Sequence, residues 1–359
     1  MRLRPQYIPR DLDSGSIEGG PVVGIEEVAR RAGVSPSTVS RALRGRSGVS
    51  DRTRQRIAEL AAELDYSISR SASGLATGRT LCIGVVVPFV WRWFFGQIIG
   101  GAEQVLRAAG YDLMLYTAGD VESRERFFRE LPVRGRVDAV LVLSMDLTEQ
   151  EADRLRGLDM PLGLVGHDAE GFSSVHIDDR LGTRLAVQHL INLGHRDIAM
   201  IQGLEPKPLG AIAPIIRREA FLQTLHDNGV EQRPEWMVPG EFSIAGGERA
   251  MDRLLAESHQ PTAVFAYADE LAMGALRSLR RHGRSTPADM SIVGFDDHEM
   301  SEYVDLTTVA QPVRAQGATA ARLLIDQLEA NSRESTVVPV PIELVVRGST
   351  APPRSSAEW

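Results

Sequence analysis

The sequence predicts an all-α head followed by an α/β core built as two lobes of parallel sheet. Residues 24–67 hold three amphipathic helical patterns in quick succession. From Leu81 onward, short apolar runs alternate with amphipathic stretches, the signature of β-α-β units. The span 81–350, with roughly ten such runs, exceeds one compact sheet, and the pattern restarts near "IAMIQG" (198–203).

Residues 1–23 are rich in Gly, Pro and charge without periodicity and read as a disordered arm. In the first helix, Ile25, Val28, Ala29 and Ala32 fall at i, i+3, i+4, i+7 and make one apolar face, which Gly33 ends. The second helix opens with Ser35 as N-cap and Pro36 at the first helical position. Val34 and Val39 stand where a hydrophobic staple sets the entry angle. Ser50 starts the third helix, in which Ile57, Leu60, Ala61 and Leu64 repeat the apolar spacing.

"SISRSASGLATGRT" (67–80) reads as a linker that orders when something binds it, its Ala72 and Leu75 forming a small apolar patch. The core strands are "LCIGVVVP", "DLMLYTA", "AVLVLS", "LGLVG", "IAMIQG", "TAVFAYA" and "SIVGFDD". The resulting division is an arm at 1–23, a helical head at 24–67, a linker at 68–80, a two-lobed core at 81–350 and a flexible tail at 351–359.

Charge is uneven along the chain. Residues 1–80 contain 13 Arg against nine Asp or Glu, whereas the whole chain carries −8, so residues 81–359 carry −12. A basic head on an acidic body suggests that only the head meets a polyanion. Cys82 is the single cysteine, which excludes an intrachain disulfide and CxxC sites. No apolar run approaches membrane-spanning length, and the N-terminus lacks the apolar core of a secretory signal, so a cytoplasmic protein is expected.

On the second helix, Val39, Ala42 and Leu43 turn to the bundle while Pro36, Ser37, Ser40 and Arg41 face outward. Short polar groups at a helix N-terminus let the backbone approach DNA, and an arginine one turn behind suits guanine O6 and N7. The N-terminus opened by Ser35, with the Thr38 and Ser40 hydroxyls, suits phosphate. A three-helix adaptor with solvated arginines remains the structural alternative.

The stretch "VARRAGVSPSTVSRAL", then "VSDRTRQRI", then a tyrosine after the third helix resembles the head of the LacI/GalR family of bacterial transcriptional regulators. "GHRDIAMIQG", "YADELAMGAL", "DMSIVGFDD", "LTTVAQP" and "LVVRGST" resemble that family's core landmarks in the same order, so the likeness spans residues 24–350. It implies a helix-turn-helix head, a hinge helix and a core like a periplasmic sugar-binding protein. It also implies a homodimer on pseudo-palindromic operator DNA. Pro36, Ser37 and Arg41 then become base-reading residues, Leu75 the hinge wedge in the minor groove, and Ala72 the contact between paired hinges. Ile68-Ser69 and Ser73-Gly74 depart from the family's hinge, and Gly74 costs a helix about 0.8–1 kcal/mol.

An effector is expected between the lobes. "PFVWRWFFGQ" (88–97) follows the first core strand and offers Trp91, Trp93, Phe94 and Phe95 to stack on a sugar ring or base, although Phe94 and Phe95 also suit a helix start packed in the core. The resemblance adds Arg217 as an effector-binding guanidinium, Asp296 as a ligand-contacting carboxylate, Asp269 in a partly structural role that caps the next helix, and Gln311 as a further pocket candidate. Ala268 stands where the family often has a polar group, which argues against copying a known sugar specificity. The effector class implied is a carbohydrate.

His167, His176, Asp178 and Asp179 lack metal-ligand spacing on one element and read as structural. His195 is expected to hold a helix-to-strand turn. No GxSxG or P-loop occurs, and "GQIIGG" lacks the GxGxxG order, so neither an enzyme nor a cofactor is expected. A sugar-binding protein of transport shares the core pattern but has no use for the head. The tail has no leucine heptads, so a dimer without a tetramerising helix is expected.

Overall fold

The computed structural model describes residues 24–43, 47–66, 79–203 and 212–354. The arm at 1–23, Ala72 and Leu75 of the linker, and the end of the tail lie outside these residues. The chain divides into two compact units, one ending at Arg79 and one starting at Thr80.

The head contains α1 (Ile25–Ala32), α2 (Pro36–Leu43) and α3 (Asp51–Glu63). Val28, Val39 and Ile57, one from each helix, are fully buried and form its core with Ala29, Ala32 and Ala42. Gly33 ends α1 at φ 66°, a left-handed conformation that favours glycine, and the next amide, of Val34, bonds back to the Ala29 carbonyl at 3.0 Å. This tight stop turns the chain directly into α2. The Ser35 Oγ accepts from the Thr38 amide at 3.2 Å, as its N-cap role requires. Ser50 caps α3 in the same way through Thr53.

The first lobe runs β1 (Cys82–Val87), α4 (Trp93–Ala108), β2 (Asp112–Thr117), α5 (Val121–Glu130), β3 (Ala139–Leu143), α6 (Glu149–Arg156), β4 (Leu162–Val165) and β5 (Ser173–His176). The second runs α7 (Asp179–Asn192), β6 (Ile198–Gly203), α8 (Ala213–Asp227), a 3-10 turn at Pro234–Trp236, β7 (Met237–Gly240), α9 (Ile244–Ala256), β8 (Ala263–Ala266), α10 (Asp269–Arg281), β9 (Ser291–Asp296) and β10 (Thr307–Ala310). The chain then crosses back: α11 (Val313–Ala330) and β11 (Val337–Pro339) complete the first lobe, and β12 (Glu343–Val345) returns to the second.

Each lobe therefore holds a six-stranded sheet, ordered β11-β5-β4-β3-β1-β2 and β12-β10-β9-β8-β6-β7. All pairings are parallel except β12 against β10. Helices cover both faces of each sheet. This is why β1 and β3 are buried along their whole length and read as unbroken apolar runs. In β1, Ile83 and Val85 join the core on one side, and Cys82 and Val86 the core on the other.

Two expectations need correction. The described residues hold twelve strands, not roughly ten, because several have only three or four residues. The halves are also not self-contained, since the second lobe already begins at α7, before residue 198, and α11 and β11 come from far downstream. α11 binds the first lobe by a close crossing with α4. A Cβ placed on Gly101 would lie 1.9 Å from the Arg314 carbonyl oxygen, and one on Gly317 would lie 2.0 Å from that of Ile98. The chain passes between lobes three times, near residues 177, 311 and 341. His195 is buried at the α7–β6 turn, where its ring nitrogens meet Thr262, Ser291 and the Ala351 carbonyl at 2.9–3.1 Å.

Candidate effector pocket and DNA-reading helix

The carboxyl ends of β1, β4, β6, β8 and β9 converge on the cleft between the lobes, the place where α/β sheets bind ligands. A cavity of about 110 Å³ lies there, with room for several waters or a small ring. Its aromatic walls come from both lobes: Phe89, Phe94 and Phe95 on one side, Phe242 and Tyr267 on the other. Phe94 and Phe95 meet edge to face at 5.4 Å between centroids, and Phe242 and Tyr267 tilt together at 5.1 Å.

Arg217, in the second turn of α8, is the electrostatic centre. Only 4% of it is exposed. Its Nε donates to Asp179 Oδ1 at 2.7 Å and its Nη1 to the Tyr267 carbonyl at 2.7 Å. The guanidinium carbon lies 3.4 Å from the centre of the Phe295 ring, a cation–π contact. Burial works against charge on this group, but the carboxylates of Asp179 and Asp296 raise its pKa and keep it protonated.

Asp296 closes β9. Its φ of 120° and the 52° of Asp297 bend the chain sharply at the strand end, where the Asp296 carboxylate faces the cavity. Burial pushes its pKa up to about 7, with Arg217, 3.8 Å away, acting in the opposite direction. Gln311 Nε2 donates to Asp296 Oδ1 at 2.7 Å, and Gln316 Nε2 donates to Gln311 Oε1 at 2.8 Å. Because Gln316 stands on α11 of the first lobe and Asp296 on the second, this relay spans the cleft.

Of the residues expected from sequence, Phe94, Phe95, Arg217, Asp296 and Gln311 line the cavity, and Trp91, Trp93 and Asp269 do not. Trp91 is 76% exposed beside Phe89. Trp93 crosses the cleft outside the cavity and stacks on His298 at 4.4 Å. Asp269 is fully buried. Its carboxylate accepts from Thr308 Oγ1, Ser301 Oγ and the His298 amide at 2.7–2.8 Å, anchoring the loop after β9. Burial raises its pKa in spite of these bonds. Asp269 does not cap α10, whose N-cap is Ala268; it is the first residue of that helix.

Sequence reasoning missed Arg92, Phe242, Tyr267, Gln316 and Asp179. Asp179 read as one of a bland cluster, yet it is the ion partner of Arg217, 38 residues away. His167 of the same cluster also lines the cavity, and burial lowers its pKa.

In the head, Ser35, Pro36, Ser37 and Arg41 are exposed and Thr38 and Ser40 half-buried. Ser35 Oγ also meets Ser37 Oγ at 2.8 Å and Thr38 Oγ1 at 2.9 Å, holding three hydroxyls together at the helix start. Among the described residues Arg41 meets no carboxylate, unlike Arg30 and Arg31, which share Glu27. Arg54 of α3 donates to the Ala42 carbonyl at 3.1 Å and pins the far end of α2.

A helix-turn-helix head joined to a two-lobed core with a cavity between parallel sheets defines a class, the DNA-binding regulators with a periplasmic-binding-protein-like core. Residues 24–69 match the family model of bacterial regulatory proteins, lacI family, and residues 187–350 that of a periplasmic binding protein-like domain. The chain is 33% identical to the HTH-type transcriptional repressor PurR of Aliivibrio fischeri, over 91% of this chain and 98% of that one. The lac repressor dimer bound to operator and the anti-inducer ONPF superposes with a TM-score of 0.80 at 29% identity, covering 92% of this chain and all of that one. The complex of the transcriptional regulator CelR with cellobiose matches at 0.67 and 31%, covering 91% and 99%. The chain belongs to the LacI/GalR family of bacterial transcriptional regulators; it is a DNA-binding protein and not an enzyme. Among the described residues no helix is long and apolar enough to cross a membrane.

Proposed function

We propose that this protein is a cytoplasmic repressor that binds a pseudo-palindromic operator as a homodimer and changes its affinity when a carbohydrate occupies the interlobe cavity. The observation that carries the reading is the buried Asp179–Arg217–Asp296–Gln311 set opening between two aromatic walls. Paired charges and amides match the donors and acceptors of neighbouring hydroxyls, and flat rings match the apolar face of a pyranose or furanose. The CelR complex supports a sugar, and the PurR relative supports repression. Phe94, Phe95, Arg217, Asp296 and Gln311 are the proposed effector contacts. Ser37 and Arg41, with Pro36, are the proposed base readers, and Ser35, Thr38 and Ser40 serve the phosphates.

The mechanism is linkage. A ligand shifts DNA affinity only by its unequal affinity for the two lobe arrangements, typically 1–3 kcal/mol of coupling. Selection of duplexes from a random pool by the purified protein tests the DNA half. A two-fold symmetric consensus is expected, and weak binding with a steep salt dependence and no consensus would sink it.

A further inference from the structure

We propose that Arg92 and Trp93, adjacent at the start of α4, form a two-point clasp that sets the closing equilibrium of the lobes. Both belong to the first lobe and both reach the second. Arg92 Nη2 meets Glu270 Oε2 of α10 at 2.5 Å, and its guanidinium lies 4.5 Å above the Phe242 ring. Trp93 stacks on His298 at 4.4 Å with the ring planes inclined by 31°. The receiving side is rigid. Glu270 lies in the first turn of α10, and the His298 amide is bonded to the buried Asp269.

Both contacts are shielded. Arg92 and Glu270 side chains are 11% and 23% exposed, so their attraction is screened far less than that of a surface pair. Arg92 also lines the cavity, and its buried Nε has no hydrogen-bond partner among the described residues. One guanidinium is thus both a wall of the cavity and a tie between the lobes. Opening the clasp removes part of the wall, which makes Arg92 a positioning residue for whatever fills the cavity. Trp93 also packs against the core of the first lobe, so its ring joins that core to His298 of the second.

This rests on the cleft being the effector site, yet its test needs no effector. Spin labels at Glu125→Cys and Glu257→Cys, exposed positions on opposite lobes, report lobe separation in the full-length protein while Cys82 stays buried. Arg92→Gln and Glu270→Gln should each raise the open-to-closed ratio by roughly fivefold or more. The double variant should add little to either, because both break one pair. Arg92→Lys should stay closed, as should Trp93→Phe, while Trp93→Ala should open. If Arg92→Gln does not fold, Glu270→Gln on the other lobe reads the same pair. Distances unchanged in Glu270→Gln, or strictly additive effects, would overturn the clasp. A clasp that opens on schedule in a protein that selects no operator would leave the clasp standing and remove the functional reading.

Discussion

Asp296→Asn should make the protein more stable at pH 8 and less able to respond to its effector. The unfolded carboxyl titrates near 3.8, whereas burial in the folded protein pushes it up to about 7. Between those values the folded state holds a proton that the unfolded state has released, so stability falls as pH rises. Working the linkage from pH 5 to pH 8, the wild type loses about 2–3 kcal/mol relative to a variant whose side chain stays neutral. Asparagine keeps an oxygen to accept from Gln311. The melting temperature of Asp296→Asn relative to wild type should therefore climb by about 3–5 °C between pH 5 and pH 8. Calorimetry at the two pH values, without effector, reads this directly. A difference independent of pH would mean that Asp296 carries no raised pKa and is solvated like a surface carboxylate. Effector binding by the wild type should weaken from pH 8 to pH 6, by about tenfold if only the carboxylate form binds.

Three further outcomes follow from the packing and charges. Arg217→Ala leaves Asp179 buried without its cation and should cost about 3–5 kcal/mol of core stability by denaturant unfolding; a loss below 1 kcal/mol would show the pair to be hydrated. Gly101→Ala forces α4 and α11 apart and should cost about 1–3 kcal/mol, lowering the core transition while a separately followed head transition stays put. Arg41→Ala should remove discrimination at one operator position, about 1–3 kcal/mol, whereas equal losses on specific and random duplexes would make it a phosphate contact.

Much of this architecture is legible in the residues. Ser35, Pro36 and Gly33 mark the turn of the head because capping and left-handed backbone are local requirements. β1 and β3 are legible because both their faces are buried. β10 is not, because its Thr307 and Thr308 are buried as hydroxyls whose partners, the Arg347 backbone and Asp269, lie about 40 residues away. The same distance hides Asp179, whose meaning depends on Arg217. Arg92 is hidden by the opposite circumstance, an aromatic run that draws attention to its neighbours. The crossing of α11 into the first lobe leaves only two glycines as its trace, and no local rule assigns them to a partner helix.

The most direct measurement is fluorescence anisotropy of a labelled duplex carrying the selected site, titrated with protein in the presence of each member of a panel of sugars and nucleosides. One sugar should change operator affinity by roughly 5–150-fold in the wild type and by far less in Asp296→Asn. Tight operator binding that no sugar alters, or a response undiminished in that variant, would contradict the assignment of the interlobe cavity as the effector site.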